Sequence, residues 1–460
     1  MLILTALFSV GYHHIDEHIQ ILEFAGLKLG MTLPSQLPWE YHYQIRPAFQ
    51  PTMVVFLCRF FEVIGLTNPF IITLFLRLLS ATLVFLAMHI MYKTYLGTIH
   101  NDKLKRWFLL LSFLLWFAIY IGVRFSSESW SGSLFIIAFS LLIIKPNPRM
   151  QRGFFIGLIL GLSFLFRYQT GFLIAGLLFW NLFIRKEIKS TLFVTLGLLL
   201  MIGIGILSDR WFYGEWTLTT WNYFNQNIIQ NKVSNFGIEP WWFYFSDVFV
   251  RAIPPFSIAL ILSFILLFIY KLKDALTWTL LPFLLIHFII GHKETRFLFP
   301  IIGFVPIIVI KAIEIVQQKW HSVSLDNKYI KGFAKLFFIV NLLFVAVVAF
   351  KPANDQMSMF NKIYSSYNEP TVLYFIEYNP YKNIYFYKRP NLEIKEIKSV
   401  IEIELNSSKH HLIVTGDKNI IKELRMPKKL IYASYPDWVF NFNFNHWIER
   451  SNYWQVYELN

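Results

Sequence analysis

Cysteine is almost absent. Cys58 is the only one in 460 residues, which excludes an intramolecular disulfide and a thiolate metal cluster. Charge is scarce as well, at 15% of residues against 56% hydrophobic, with a mean hydropathy of +0.48. That balance excludes an ordinary soluble protein and fits a polytopic membrane protein. Acid is the scarcer sign, with 28 acidic residues against 42 basic ones and a formal net charge of +14. In a membrane protein such an excess collects in cytoplasmic loops. No basic, aromatic-interleaved module accompanies it, so nucleic acid is not an expected partner. Residues 1–11 are apolar but shorter than the roughly 20 a span needs. They carry no basic leader, so no cleaved signal is expected, and the run reads as the remainder of a first helix.

What the chain does have is a series of apolar runs, at 2–11, 69–92, 107–123, 131–145, 153–167, 170–184, 190–207, 252–270, 275–291, 299–318 and 332–350. They predict about 11 membrane helices. The segment 51–66, bounded by Pro51 and Gly65, reads as a membrane-surface or re-entrant helix. Basic residues fall at alternate breaks: Lys93 to Arg106, Lys145 to Arg152, Arg185 to Lys189, Lys271 with Lys273, and Lys319 to Lys331. The positive-inside rule assigns those breaks to the cytoplasm. The extracytoplasmic side then receives loops 12–50 and 208–251, the Arg124–Ser133 and His292–Pro300 stretches, and the tail. The expected architecture is a transmembrane domain over 1–350 and a small extracytoplasmic α/β domain over 351–460. In the tail, β-rich runs lie at Thr371–Tyr378, Asn383–Tyr387, His411–Val414 and Leu430–Ala433.

Every chemically loaded segment falls on that one side. The first is His13-His14-Ile15-Asp16-Glu17-His18, followed by Gln20 and Glu23. Paired carboxylates are costly in hydrocarbon, so the cluster belongs at a water-facing membrane surface, within reach of a lipid-bound substrate. An acid pair there can take a proton from a hydroxyl, and the imidazoles suit a phosphate or a metal. The second is Gly291-His292-Lys293-Glu294-Thr295-Arg296-Phe297-Leu298-Phe299-Pro300, whose three basic side chains suit a lipid phosphate. The competing reading is that Lys293 and Arg296 only snorkel at a helix end. The third runs from Ser208-Asp209-Arg210-Trp211-Phe212-Tyr213-Gly214 through Asn222 to Trp241 and Trp242. Its aromatic and amide groups suit a sugar. An interfacial aromatic belt accounts for the rings but not for Asp209 and Arg210.

These strings resemble glycosyltransferase family 22, the dolichyl-phosphate-mannose-dependent α-mannosyltransferases of N-glycan and GPI-anchor assembly. The family's H-P-D-E loop, the Q..LE after it, and its W-E and R-x-x-x-x-P are matched by His14, Asp16, Glu17, Gln20, Leu22, Glu23, Trp39, Glu40, Arg46 and Pro51. Ile15 stands where the family has proline. Its H-K-E-x-R-F-L-x-P string is matched from His292 to Pro300. Its aspartate–tyrosine–glycine loop is matched with looser spacing by Asp209, Tyr213, Gly214, Asn222, Asn227, Gly237, Pro240 and Trp241. Arg124–Glu128 and Phe166–Thr170 resemble two further stretches of the family.

The resemblance implies a GT-C fold with an extracytoplasmic site. It implies a polyprenyl-phosphate sugar donor, dolichyl or undecaprenyl, a lipid-linked glycan acceptor, and inverting chemistry with no cofactor and no metal. In that frame Asp16 is the expected base, with Glu17 orienting the acceptor or tuning Asp16. His292, Lys293 and Arg296 are expected on the donor phosphate with Arg46 as helper. His14, Gln20, Glu23, Trp39, Glu40, Asp209, Tyr213, Asn222 and Trp241 are expected to bind substrate. The abundance of Lys, Asn, Ile and Phe points to a bacterial inner membrane, with the endoplasmic reticulum as the eukaryotic counterpart.

Two rival classes start from the same residues. His14-Ile15-Asp16-Glu17-His18 fits the H-x-x-E-H motif of zinc proteases, with His14 and His18 on the metal and Glu17 as base. That reading leaves the His292–Pro300 string unexplained. A lipid-linked sugar flippase or transporter would line its path with intramembrane charges such as Arg77. Its expected signature is a pair of broken helices in two halves, and no such repeat is seen.

Overall fold

The computed structural model describes residues 1–144, 150–321, 323–376, 378–416, 426–450 and 453–459. The basic positions Lys145 and Arg149 lie outside them. The chain forms two compact units, each assembled from separated stretches. A membrane unit comprises Met1–Leu7, Pro38–Phe56 and Phe75–Phe350. A tail unit comprises Phe8–Leu37, Leu57–Leu74 and Lys351–Asn460.

Each expected apolar run falls on a helix. Among the described residues, six helical stretches are long and apolar enough to cross a membrane: Pro69–Leu96, Asp102–Gly122, Ser127–Ile144, Ile188–Tyr213, Thr295–Lys319 and Lys328–Ser366, the last consisting of the apolar helix Lys328–Phe350 and a separate helix Asp355–Ser366. Phe256–Tyr270 and Ala275–Ile289 form a pair bent by 116°, and Met150–Phe166 and Thr170–Ile184 are shorter apolar helices. The 51–66 segment is a 15-residue helix, Phe49–Val63, too short to span upright. Ser127–Ile144 is the most enclosed of the six, with 72% of its apolar window buried, against 22% for Ile188–Tyr213. The first therefore faces protein and the second leaves most of its surface for lipid.

Glycine sets how closely these helices approach. Gly153, Gly157 and Gly161 recur every fourth residue, on one face of Met150–Phe166. A Cβ at Gly157 would lie 2.0 Å from the Val194 carbonyl oxygen, and one at Gly197 would lie 2.1 Å from that of Phe154. The two helices thus touch backbone to backbone, the small-residue contact that replaces hydrophobic driving force inside a bilayer. Gly132 plays the same part between Ser127–Ile144 and the 3₁₀ segment Thr295–Phe304, where an added Cβ would meet the Pro300 carbonyl oxygen at 2.5 Å.

Two expected loops carry helix. The 12–50 stretch is helical from Ile15 to Leu29, the middle turn Ile19–Glu23 being a π-helix. The 208–251 stretch begins inside a helix, because nothing breaks Ile188–Tyr213 until Gly214 takes positive φ. Asp209 and Tyr213 therefore sit in the last turns of a helix.

The tail unit is built on a five-stranded sheet with strands β1 (Thr371–Phe375), β2 (Leu392–Glu396), β3 (His410–Thr415), β4 (Lys428–Ala433) and β5 (Gln455–Leu459). The order is β2-β1-β3-β5-β4, with β1 parallel to both β2 and β3, and β5 antiparallel to both β3 and β4. β1 is buried at every residue, as a central parallel strand should be. Helix Asp355–Ser366 begins under an Asn354 cap whose side chain accepts from the Met357 N–H. The N-terminal stretch is tied to this start, since the Ala353 and Asn354 N–H groups both donate to the Val10 carbonyl. The expected run Asn383–Tyr387 is not a strand. Its Tyr385 and Phe386 N–H groups turn to the Glu23 carboxylate instead of a neighbouring strand.

Candidate active site

In the membrane unit, the His292–Arg296 string closes a charged network. Arg296 gives its Nε and Nη2 to Glu294, at 2.5 and 3.0 Å, and its Nη1 stands 3.9 Å from Glu128 Oε1. Glu128 lies between two guanidinium groups, because Arg167 Nη1 approaches the same oxygen at 2.7 Å. All three side chains are less than a tenth exposed. The close backbone contact at Gly132 makes this possible, since Glu128 lies one helical turn before Gly132 and Arg296 just precedes Pro300. His292 bridges the Gly237 carbonyl at 3.1 Å and Glu294 Oε1 at 3.0 Å. The hydrogen bond to Glu294 holds its imidazole above the ordinary histidine range, against the opposing effect of burial. Lys293 is buried and donates to the carbonyls of Glu239, Ile290 and Gly291. The string expected on the donor phosphate thus spends most of its donors on the protein's own carboxylates and carbonyls.

A second group of expected residues converges on the backbone around Arg46. Asp209 Oδ1 accepts from the Ala48 N–H at 2.8 Å, the Tyr213 hydroxyl donates to the Arg46 carbonyl at 2.8 Å, and Asn222 donates to the Gln44 carbonyl at 3.3 Å. The other Asp209 oxygen accepts from Thr219 at 2.5 Å. These residues pin the loop that presents Arg46. Glu40 faces that arginine with Oε1 at 3.5 Å from Nη2. Trp39 stacks on Phe236, their centroids 5.9 Å apart, and joins Lys232 through its ring face. Trp241, 66% exposed, stands apart from this cluster.

In the tail unit, His14 caps the short helix Ile15–His18. Its Nδ1 accepts from the Asp16 N–H at 3.2 Å and lies 3.8 Å from Asp16 Oδ1. Glu17 Oε2 accepts from the His13 N–H at 3.1 Å. The Asp16 side chain is 23% exposed, accessible to a substrate hydroxyl. Gln20 lies in the following π-helix, partly buried. Glu23 is nearly inaccessible and fully engaged. Oε1 meets His18 Nε2 at 2.6 Å and the Tyr385 and Phe386 N–H groups at 2.7 and 3.0 Å, while Oε2 accepts from Thr32 at 2.5 Å. Burial alone would raise its carboxyl, but the His18 hydrogen bond and charge, with the Phe386 and Thr32 donors, outweigh it and hold Glu23 below the ordinary range. Glu23 therefore fastens the N-terminal helix to its own unit. His18 gives its Nε2 to the same contact and is buried, whereas His14 is partly exposed, and among the described residues no group of three or more metal-ligating side chains forms around them.

Glu128 and Arg167 carry the centre of the charged network, yet no role attaches to either at the level of sequence. The available signals are the family-like stretches Arg124–Glu128 and Phe166–Thr170 that contain them, and the charge each places beside an apolar run, a rare and costly event inside membrane protein.

The profile of the Alg9-like mannosyltransferase family matches residues 1–390. Human GPI alpha-1,2-mannosyltransferase 3 is 26% identical over 370 residues, covering 77% of this chain and 62% of its own length. GPI mannosyltransferase 3 of Schizosaccharomyces pombe is 27% identical over 389 residues, covering 75% of this chain and 71% of its own. The chain thus spans less than two thirds of the length of the human protein. Among solved structures, ArnT from Cupriavidus metallidurans bound to undecaprenyl phosphate superposes with a TM-score of 0.54 over 99% of this chain and 96% of its own, at 11% identity. At that identity the likeness is one of fold, the GT-C architecture.

Proposed function

This chain belongs to the Alg9-like mannosyltransferase family, and on that premise we propose that it is a multi-pass membrane enzyme moving mannose from a polyprenyl phosphate to a lipid-linked glycan. One observation carries the reading: the family match runs through both charged strings, His14 to Glu23 and His292 to Pro300. The transfer is a single displacement. The acceptor hydroxyl oxygen attacks the anomeric carbon as its proton passes to the Asp16 carboxylate. The bond from that carbon to the phosphate oxygen breaks, its electron pair leaves with the phosphate, and the configuration inverts. Glu17 orients the acceptor or tunes Asp16. The positive charge of Arg46, His292, Lys293 and Arg296 offsets the charge on the departing phosphate. His14, Gln20, Trp39, Glu40 and Trp241 meet the sugars. Asp209, Tyr213 and Asn222 support the loop of Arg46, and Glu23 supports the helix of Asp16. The reaction faces the extracytoplasmic side, and in a bacterium the donor lipid is undecaprenyl phosphate.

The test is to give purified protein in lipid nanodiscs a synthetic polyprenyl-phosphate mannose, and to weigh the lipid-linked glycans of a deletion strain. The expected results are mannose transfer and accumulation of a glycan one hexose short. An unchanged glycan profile, with no transfer to extracted acceptor lipids, overturns the reading.

A further inference from the structure

We propose that Arg167 and Arg46 are the residues that grip the donor's phosphate, through buried Nε groups that no other described residue meets. The inference rests on the polyprenyl-phosphate reading above and names the contacts within it.

Arg296 and Lys293 are poorly placed for direct contact. The Nε and Nη2 edge of Arg296, the one suited to bidentate binding, is closed by Glu294. The Lys293 ammonium is bound to three backbone carbonyls. Arg167 differs. Its Nη1 donates to Ser127 at 3.2 Å and forms an ion pair with Glu128 Oε1 at 2.7 Å, which orients the guanidinium. Its Nε is buried without a partner among the described residues. Arg46 repeats the pattern: Nη2 is only loosely paired with Glu40, Nε is buried without a partner among the described residues, and the side chain keeps 20% exposure, which leaves an approach.

A buried N–H with no acceptor is costly. Among the described residues three arginines, Arg46, Arg167 and Arg389, bury an Nε in this way, and the first two belong to the membrane unit. They also share surroundings. Arg167 lies within electrostatic range of both Arg46 and Tyr223. The Arg46 guanidinium carbon is 6.0 Å from the Tyr223 ring centroid, and Gln169, two residues after Arg167, donates to the Tyr223 hydroxyl at 2.6 Å. An anion with two free oxygens supplies the missing acceptors and offsets the mutual repulsion. The phosphodiester of a polyprenyl-phosphate sugar is such a group. Arg296 then acts through Glu128, which it shares with Arg167, as a positioning residue.

The experiment measures binding of polyprenyl phosphate, and of the matching polyprenol without phosphate, to the full-length protein in nanodiscs. Arg46→Lys and Arg167→Lys keep the charge but lose the fork. Each is expected to weaken phosphate binding at least tenfold while leaving polyprenol binding unchanged. Arg251→Ala, at an exposed residue paired with Asp247, is the control for a lost surface cation and is expected to bind as wild type does. Phosphate binding within threefold of wild type in both lysine variants overturns the assignment, as does parallel loss of polyprenol binding. If Arg167→Lys does not fold, Arg46→Lys decides alone by the same criteria. A wild-type protein that binds polyprenyl phosphate no better than polyprenol overturns the donor reading itself.

Discussion

Single residues divide here into those that can react and those that hold. Asp16 is partly exposed at the start of a short helix, whereas Glu23, seven residues on, is buried and saturated with donors. Asp16→Asn is expected to lower the rate of transfer by about 10²–10⁴ while leaving polyprenyl-phosphate binding intact, because the amide takes no proton. A fully active Asp16→Asn enzyme with an inactive Glu17→Gln counterpart would move the base one position along. Glu23→Ala should damage structure instead. It leaves His18, Thr32 and two backbone N–H groups unpaired, at a cost of about 3–5 kcal/mol. The specific readout is hydrogen exchange, with the Tyr385 and Phe386 amides losing protection before the strands do. Because the folded Glu23 carboxyl is held below its ordinary value, its contribution is complete above the unfolded value, about 4.3, and is lost as pH falls through the lower folded one. Acid should therefore destabilise the tail unit of the wild type more than that of Glu23→Gln.

At the scale of elements, glycine decides which side chains meet. Gly132 lets the Ser127–Ile144 helix lie against Pro300, and that contact brings Glu128 within 3.9 Å of Arg296. Gly132→Val places carbon where the Pro300 carbonyl stands. Overpacking of this kind costs about 1–3 kcal/mol. The expected result is a folded enzyme, judged by size-exclusion profile and melting temperature, whose kcat/KM falls by more than tenfold as the network opens. Wild-type turnover in Gly132→Val would mean that the spacing of Glu128 and Arg296 does not matter. Asp209, Tyr213 and Asn222 illustrate a further point of the same scale. Polar residues at the end of one helix and in the next serve the backbone of a loop distant in sequence, the one that carries Arg46.

For the molecule as a whole, the distribution of charge predicts its orientation. By the positive-inside rule the basic breaks around Lys103 and Lys328 are expected in the cytoplasm and the aromatic loop at Trp241 on the opposite side. In a Cys58→Ser background, a cysteine at 241 should react with an impermeant thiol reagent applied from outside. Cysteines at the exposed Lys103 and Tyr329 should react only once the membrane is broken. The opposite labelling pattern would invert the topology and remove the extracytoplasmic site.

Sequence by itself determined the membrane character, the run of helices and the family. Those properties reside in composition, apolar length and local strings such as His292–Pro300, and need no contact between distant residues. Helix ends were legible to within a few residues, except where helix persisted to Gly214 because nothing earlier stopped it. Strands β2 and β5 escaped notice because Leu392–Glu396 and Gln455–Leu459 are short and carry charge. The Asn383–Tyr387 stretch has strand composition, yet Glu23 takes its N–H groups. Tertiary structure alone decided how each charge is used. Whether an arginine N–H or a carboxylate oxygen finds a partner depends on neighbours from about 40 to more than 300 positions away, as Arg167 with Ser127 and Glu23 with Phe386 demonstrate. Pairing of that kind leaves no periodic trace in the chain, and so the family-like strings Arg124–Glu128 and Phe166–Thr170 mark Glu128 and Arg167 in the sequence, while their pairing emerges only when the helices that carry them are packed.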